Sequence, residues 1–194
     1  MIRAIIFDCF GVILTDAMQL LRVEVQRSNP EIAREITDIV SANNHGFIQP
    51  AESNKRIARL LGISVDALRA RVAGSEVRDE KLLRYIQDIH KIYKTALLSN
   101  IAGSSLAKRF PNDELKQYFD EVIASGDIGY AKPEPEAYET TARRLGVRLD
   151  ECVFTDDREI FCAGAKSIGM QTIVYTDFMQ FRGELEALLL RENS

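Results

Sequence analysis

The sequence predicts an α/β fold: a parallel β-sheet flanked by helices, with a helical cap inserted after the first strand. Three observations indicate this class. A short apolar strand near the N-terminus ends on an acidic residue, Asp8. Residues from about 16 to 79 then show helical patterns and no strand pattern. From about residue 94 onward strand and helix patterns alternate, which is typical of a parallel sheet with right-handed crossovers and helices on both faces.

The first strand is the apolar run from Ile2 to Phe7, whose β-branched residues suit a strand buried on both faces. The block that follows is predicted to be helical, because Pro30 and Pro50 stand at the start of two helices and Gly62 and Ser64 separate the second of these from the next. The helices predicted in this block span residues 17–26, 30–42, 50–61 and 65–73. We therefore expect residues 1–15 and 80–194 to form the core and residues 16–79 to form the cap.

The remaining elements follow a helix predicted from about residue 79 to residue 91. The predicted strands are 94–98, 119–124, 151–155 and 171–175, and the predicted helical segments are 104–118, 135–145, 159–168 and 177–190. Gly146 and Gly169 end two of these helices. The apolar stripe formed by Leu185, Leu188 and Leu189 is predicted to pack in the core.

Size and composition fit one domain with a small insertion, in a chain of 194 residues. The net charge of −4 and the pI of about 5.4 do not favour general binding to nucleic acid or to anionic membranes. Cys9, Cys152 and Cys162 are odd in number, which argues against a disulfide framework, and they are predicted to be buried, unreactive thiols. With no secretion signal and no membrane-length apolar run, we expect a cytoplasmic protein.

Polar residues stand at the ends of four predicted strands or of the loops that follow them. They are Asp8, Ser99 and Asn100, Lys132, and Asp156 and Asp157. Parallel strands place their carboxyl ends at one edge of the sheet, where open α/β sheets bind their ligands. We therefore expect these residues to share one site.

This set of residues suits phosphoryl transfer. A carboxylate such as Asp8 can attack phosphorus and form an aspartyl-phosphate, provided that the charge between the two groups is neutralised. Mg²⁺ prefers oxygen ligands, which Asp8, Asp156 and Asp157 supply. Lys132 supplies a fixed positive charge for phosphoryl oxygens, and Ser99 supplies a hydroxyl group beside backbone N–H donors.

The order of these motifs resembles the haloacid dehalogenase superfamily, most of whose members are Mg²⁺-dependent phosphatases with a Rossmann-like core. The matching segments are the nucleophile loop 8–12, the second motif 98–100, the lysine motif 129–138, the acidic motif 154–157 and the small-residue helix 163–170. The helical insertion resembles the cap of this family, and residues 45–52 are similar to a helix break in the sugar-phosphatase-like branch.

The resemblance implies a role for each matched residue. It implies that Asp8, Ser99 and Lys132 are catalytic, and that Ser99, Asn100 and Lys132 bind phosphate. It places Asp8, the backbone carbonyl of Phe10, Asp156 and Asp157 around Mg²⁺. The implied partner is a small phosphorylated metabolite, such as a sugar phosphate.

Phe10 departs from the family pattern, because most phosphatases of the family carry an acid/base Asp at this position. A positioned acid/base typically contributes about 10²–10⁴-fold to a rate, so its loss predicts a slow enzyme or one that needs a good leaving group. The glucose-1-phosphate phosphatase-like branch also lacks this Asp. A second departure is Phe161, to which the sequence assigns no role.

Two other functions stay open at this stage. A 2-haloacid dehalogenase is favoured by Phe10, since that branch has an aromatic residue here, but Asp156 and Asp157 would repel a carboxylate substrate. A non-enzymatic phosphate-ligand sensor would also fit the missing acid/base. His45 is predicted to be a loop residue without a role, and Lys108, Arg109 and the cap arginines are predicted to lie on solvated helix faces.

Overall fold

The computed structural model describes residues 1–110 and 113–192 and contains one five-stranded sheet. Its strands are β1 (Ala4–Phe7), β2 (Lys94–Ser99), β3 (Glu121–Ala124), β4 (Cys152–Asp156) and β5 (Gln171–Val174). The strand order is β3-β2-β1-β4-β5, and every neighbouring pair is parallel. The predicted α/β class is therefore confirmed. The third strand begins two residues later than predicted.

Ten α-helices lie within the described residues, and five of them follow one another between β1 and β2. The ten helices are α1 (Ala17–Ser28), α2 (Pro30–Asn44), α3 (Pro50–Leu61), α4 (Val65–Ser75), α5 (Glu80–His90), α6 (Gly103–Leu106), α7 (Ser125–Ile128), α8 (Pro135–Leu145), α9 (Glu159–Ser167) and α10 (Phe178–Glu192). Short 3₁₀ helices lie at Glu114–Gln117 and Leu149–Glu151. Asp16, Asn29, Ser64 and Asp79 each accept a backbone hydrogen bond at a helix start, as N-cap residues do.

The prediction of a helical segment over residues 104–118 was wrong in its extent. Only α6 and the 3₁₀ helix Glu114–Gln117 are helical there, and residues 111–112 of that prediction lie outside the described residues. Asp113 has a φ of +58°, a left-handed conformation that separates the second helix from the first. The short helix α7 was not predicted, because Gly126 and Gly129 in this segment indicate a loop.

The sheet is covered by an apolar layer on each face. Alternate residues of β1 point to opposite faces, so that Ile5 and Phe7 join one layer and Ile6 joins the other. Leu185 of α10 is fully buried in the first layer, and Leu188 and Leu189 pack against it. The predicted core stripe of the last helix is confirmed.

Helices α1 to α4 pack around an apolar cluster of their own. This cap cluster consists of Leu21, Val25, Ala33, Ile36, Ile57, Ala58 and Leu68. The polar edge of the sheet faces these helices across a cavity that both parts line. The exact division at residues 15/16 and 79/80 stays a prediction.

Cys9, Cys152 and Cys162 are all free and buried, as predicted. Burial raises the pKa of Cys9 well above its ordinary value and the pKa values of Cys152 and Cys162 to about 12. In the described part of the chain, no helix is both long and apolar enough to span a membrane.

Replacing Ile36 by alanine removes a fully buried side chain from the cap cluster. We expect this change to lower the free energy of unfolding by about 2–5 kcal/mol, because a cavity replaces the lost contacts. Ile92 is 77% exposed, so Ile92→Ala is the matched control and should change it by less than about 0.5 kcal/mol. Urea titration followed by circular dichroism measures both values, and equal effects would contradict the packing assigned to Ile36.

Candidate active site

The carboxyl edge of the sheet brings the predicted acidic residues together. Asp8 directly follows β1 and Asp156 is the last residue of β4. Phe7 pairs with Thr155, and the backbone N–H of Asp8 donates to the Thr155 carbonyl at 2.9 Å, so the register places both acids at the same level. Carboxylate oxygens of Asp8, Asp156 and Asp157 lie within 4.8 Å of one another.

Lys132 is buried at the centre of this edge. Its Nζ lies 2.5 Å from Asp8 Oδ1 and 2.6 Å from Asp156 Oδ2, and its side chain is 1% exposed. The rings of Phe154 and Phe161 have their centroids 5.3 and 5.2 Å from the same Nζ, which favours a cation there. Phe161, to which the sequence assigned no role, therefore packs against the central lysine.

Asn100 holds the loop that carries Lys132. Its side-chain Nδ2 donates to the carbonyl of Lys132, and its Oδ1 accepts from the N–H of Lys132, both at 2.9 Å. These paired bonds lock the lysine backbone to the end of β2. The side-chain amide of Asn100 is thus occupied in positioning Lys132.

Ser99 ends β2 and is completely buried. Its Oγ has no hydrogen-bond partner within the described residues, and the same holds for Thr155 Oγ1 on β4. Buried hydroxyl groups in folded proteins nearly always have a partner. An unpaired hydroxyl at this edge is consistent with a ligand that supplies one.

The turn after Asp8 shapes the open side of the site. The carbonyl of Cys9 accepts from the N–H groups of Ile13 and Leu14, and the N–H of Gly11 donates to Leu14. Gly11 has a φ of +94°, and a Cβ atom there would collide with the Asp157 carboxyl group. Glycine is therefore required for both its conformation and the close approach of Asp157.

The carboxyl edge of the sheet carries three carboxyl groups, those of Asp8, Asp156 and Asp157, beside the one ammonium group of Lys132. Burial raises the pKa of Asp8 above its ordinary value, although the Lys132 ammonium opposes this rise and Asp156 adds to it. Burial by itself lowers the pKa of Lys132, but Asp156 and Asp8 raise it above its ordinary value. Burial raises the pKa of Asp157 to about 6, and the Asp156 and Asp16 carboxylates add to that rise.

Three clustered carboxylates facing one ammonium group form a donor set that fits a divalent cation. All their ligand atoms are oxygens, which is the chemistry that Mg²⁺ prefers. Burial and the repulsion from neighbouring carboxylates raise the pKa of Asp157, and a bound cation would favour its ionised form against both. The residues present thus fit the predicted magnesium site.

Phe10 lies at the cavity wall beneath a paired arginine. The Arg109 guanidinium stands 5.1 Å from the centroid of the Phe10 ring and forms an ion pair with Glu76, with Nε 2.8 Å from Oε1. The prediction that Arg109 lies on a solvated helix face was wrong, because its side chain is only 23% exposed. Lys108 is exposed, as predicted.

His45 lies in the loop after α2, as predicted, at a contact between the cap and the core. Its Nε2 is 3.2 Å from Glu134 Oε2, and its ring stacks on Phe47. Beside it the Ser125 hydroxyl donates to the Asn44 carbonyl at 2.5 Å. The loop between α2 and α3 therefore contacts the core next to the segment that carries Lys132.

A cavity of about 750 Å³ lies between the cap helices and the sheet edge. Asp8, Asn100 and Lys132 line it from the core, and residues of α1 to α4 line it from the cap. This volume is within the usual range for small-molecule sites and exceeds what inorganic phosphate alone would need. The site can therefore hold a phosphate group together with a small organic substituent.

Comparison with known proteins identifies the family. The sequence profile of the haloacid dehalogenase-like hydrolases matches residues 2–169. The chain therefore belongs to this family, and the resemblance of its motifs is confirmed. The D-ribitol-5-phosphate phosphatase of Bacteroides thetaiotaomicron is 25% identical over 205 residues, which cover 97% of this chain and 99% of that protein.

Solved structures share the fold. A HAD family enzyme from Bacteroides thetaiotaomicron, in complex with magnesium and inorganic phosphate, superposes with a TM-score of 0.73 at 23% identity, covering 91% of this chain and 95% of that one. L-2-haloacid dehalogenase from Xanthobacter autotrophicus gives 0.62 at 21% identity, with coverages of 96% and 83%. Such identities establish the fold alone. Several curated relatives match over shorter segments, and the chain spans only 13–31% of their lengths.

The change Lys132→Met leaves Asp8 and Asp156 buried without their shared cation. We expect it to lower the free energy of unfolding in EDTA by about 3–5 kcal/mol, the usual cost of breaking a buried ion pair from one side. Lys108→Met, at the exposed rim of the same cavity, is the control and should have little effect. Thermal and urea unfolding measure this difference, and similar stabilities for the two variants would contradict the central role of Lys132.

Proposed function

We propose that this chain is a Mg²⁺-dependent phosphatase that hydrolyses a small phosphorylated metabolite, such as a sugar phosphate, through an aspartyl-phosphate at Asp8. The observation that carries the proposal is the buried group of Asp8, Asp156 and Lys132, with Nζ–O distances of 2.5 and 2.6 Å. Asp8 and Lys132 of this group line the cavity. The nearly full-length match to a D-ribitol-5-phosphate phosphatase supports the same chemistry.

Asp8 is the proposed nucleophile. One of its carboxylate oxygens forms a bond to phosphorus while the bond from phosphorus to the substrate oxygen breaks, and the leaving oxygen takes up a proton from solvent, because Phe10 cannot donate one. The attack needs Asp8 in its ionised form. Burial opposes ionisation, and the Lys132 ammonium at 2.5 Å favours it.

Lys132 and Ser99 are the proposed contacts to the transferred phosphoryl group. Lys132 offers a fixed positive charge whose direction is set by the Asn100 bonds to its backbone. Ser99 offers a buried hydroxyl that has no other partner within the described residues. Fixed donors of this kind stabilise charge that develops on phosphoryl oxygens without having to reorganise.

Mg²⁺ would be held by Asp8, the carbonyl of Phe10, Asp156 and Asp157. When bound, it would offset the repulsion between the nucleophile and the phosphoryl group. Gly11 keeps Asp157 close to this set, because a side chain there would displace its carboxyl group.

Hydrolysis of the aspartyl-phosphate is the step that Phe10 makes difficult. Water must attack phosphorus, lose a proton and return the Asp8 carboxylate while inorganic phosphate leaves. The position at which most family phosphatases place a carboxylate holds instead an aromatic ring beneath the Arg109 guanidinium. We therefore propose a slow second step.

A second candidate is a 2-haloacid dehalogenase, which Phe10 favours because that branch of the family has an aromatic residue at this position. Asp156 and Asp157 oppose it, since they crowd negative charge where a carboxylate substrate would bind. Halide release from 2-chloropropionate in EDTA would support the dehalogenase.

Replacement of the nucleophile tests the main proposal. We expect Asp8→Asn to lower phosphate release from D-ribitol 5-phosphate and from an aryl phosphate by at least about a thousandfold, because no covalent intermediate can form. EDTA should abolish the wild-type activity. Asp150→Asn, a change at an exposed acid, is the control and should keep full activity. Activity that survives both Asp8→Asn and EDTA would refute the mechanism.

Slow hydrolysis of the intermediate predicts a burst. With an aryl phosphate in excess, we expect stopped-flow traces to show about one equivalent of released phenol per enzyme before a slower steady phase. The phosphoenzyme should be detectable by mass spectrometry of acid-quenched samples. A linear trace without phosphoenzyme would mean that formation of the intermediate, and not its hydrolysis, limits the rate.

A further inference from the structure

Two buried polar atoms of the cap have no hydrogen-bond partner, and both belong to residues that line the cavity. They are Nε of Arg22 on α1 and the side-chain Oδ1 of Asn43 on α2. Within the described residues, the other buried side-chain atoms without a partner are the hydroxyls of Ser99 and Thr155 at the sheet edge. Of these four residues, Arg22 and Asn43 line the cavity, and Ser99 and Thr155 belong to the strands β2 and β4 of the sheet.

An unpaired buried donor or acceptor is costly, and such groups in folded proteins usually mark a function or a bound molecule. Arg22 Nε is a donor that calls for an acceptor, and Asn43 Oδ1 is an acceptor that calls for a donor. A ligand in the cavity that presents both an anionic oxygen and a hydroxyl group would satisfy the two atoms together.

The charge around Arg22 points to an anion. Its Nη2 donates to the neutral side chain of Gln19, and no carboxylate forms an ion pair with it in the described part of the chain. Asp16 raises the pKa of Arg22, but burial and the nearby Arg158 lower it below its ordinary value. A bound anion beside Arg22 would offset the effect of burial and of Arg158 and stabilise the charged guanidinium.

Some other arginines of the cavity wall form ion pairs with carboxylates, whereas Arg22 forms none with the residues that the structure describes. Arg78 is paired with Glu114 and Arg109 with Glu76. Arg158 stacks on the Phe161 ring and, like Arg22, forms no ion pair within the described residues. Among the described residues that line the cavity, the cations without an ion pair are thus Arg22, Arg158 and Lys108, and Lys108 is exposed at the rim whereas Arg22 has a buried, unpaired Nε.

We infer that the substrate is a phosphorylated hydroxy compound with a second anionic group, which Arg22 binds while Asn43 accepts a hydrogen bond from a neighbouring hydroxyl. The inference rests on the proposed phosphatase function and narrows its substrate class. The second anion is a carboxylate or a second phosphoryl group, since a guanidinium binds both through the same oxygens.

Matched substrates test the inference. 6-Phosphogluconate and sorbitol 6-phosphate differ only in that a carboxylate in the first replaces a hydroxymethyl group in the second. We expect kcat/KM to be at least about tenfold higher for 6-phosphogluconate, the lower bound for a charged hydrogen bond. Fructose 1,6-bisphosphate compared with fructose 1-phosphate tests the second phosphoryl group. Equal kcat/KM values within both pairs would overturn the inference.

Variants assign the preference to Arg22. We expect Arg22→Gln to lower kcat/KM for the preferred doubly anionic substrate by about tenfold to a hundredfold, mainly through KM, and to change the singly phosphorylated partner less than about threefold. Arg22→Lys should restore part of the preference. Arg27→Gln, on the exposed side of the same helix, is the matched control. Equal losses on both substrates in a variant with wild-type melting temperature would contradict specific recognition.

Failure of this inference can be told from failure of the proposed function. Asp8-dependent hydrolysis without a preference for the second anion would overturn the inference alone. Absence of all hydrolysis would overturn the proposed function. In that case isothermal titration of the same substrate pairs into the Asp8→Asn protein decides the inference: tighter binding of the doubly anionic partner, lost in Asp8→Asn/Arg22→Gln, supports it, and equal binding overturns it.

Discussion

The buried ion pairs of Lys132 are the constraint on which the rest of the site depends. One ammonium group lies between two carboxylates that come from the ends of different strands. Such a group is tolerable in an apolar interior only when every charge has its partner in place. Three features hold these charges in place. The register of β1 with β4 aligns the two acids, Asn100 binds the backbone of Lys132, and the rings of Phe154 and Phe161 pack near its ammonium group. Because the acids still outnumber the ammonium, the edge remains suited to a further cation and to a phosphoryl group.

In the proposed enzyme, the core and the cap contact different parts of the substrate. The core presents the groups that fit the phosphoryl group. The register of β1 with β4 and the hydrogen bonds of Asn100 to the Lys132 backbone fix their positions. The cap presents longer side chains, such as Arg22, across the cavity, and its position is held by contacts of the loop around His45 with the core. This arrangement allows the cap to select the organic part of the substrate without any change at the reacting atoms.

The fold and the acidic edge could be predicted from the sequence, because they follow from local signals. Alternating segments predict a parallel sheet, and polar residues at strand ends predict a shared edge, so Asp8, Asp156 and Lys132 were found together. The surroundings of Arg22 and Arg109 could not be predicted, because helical periodicity tells which side of a helix is apolar but not what approaches its polar side. Arg109 is covered by Glu76, which is distant in sequence, and Arg22 faces a cavity that exists only once four helices have packed. Phe161 was missed for the same reason, since its contact with Lys132 joins segments that no short pattern links.

Binding energy at Arg22 in the cap could offset the lack of an acid at position 10, where the chain has Phe10. Without a proton donor beside the leaving oxygen, the enzyme must lower the barrier by other means. Binding energy from a remote part of the substrate can be used to position the reacting groups, provided that the interaction is strongest in the transition state. A second anion held by Arg22 would anchor the substrate at the end opposite Asp8 and fix the phosphorus against the nucleophile. Selectivity and rate would then depend on the same guanidinium, and substrates that lack the second anion would react slowly even though their phosphate groups meet an identical core.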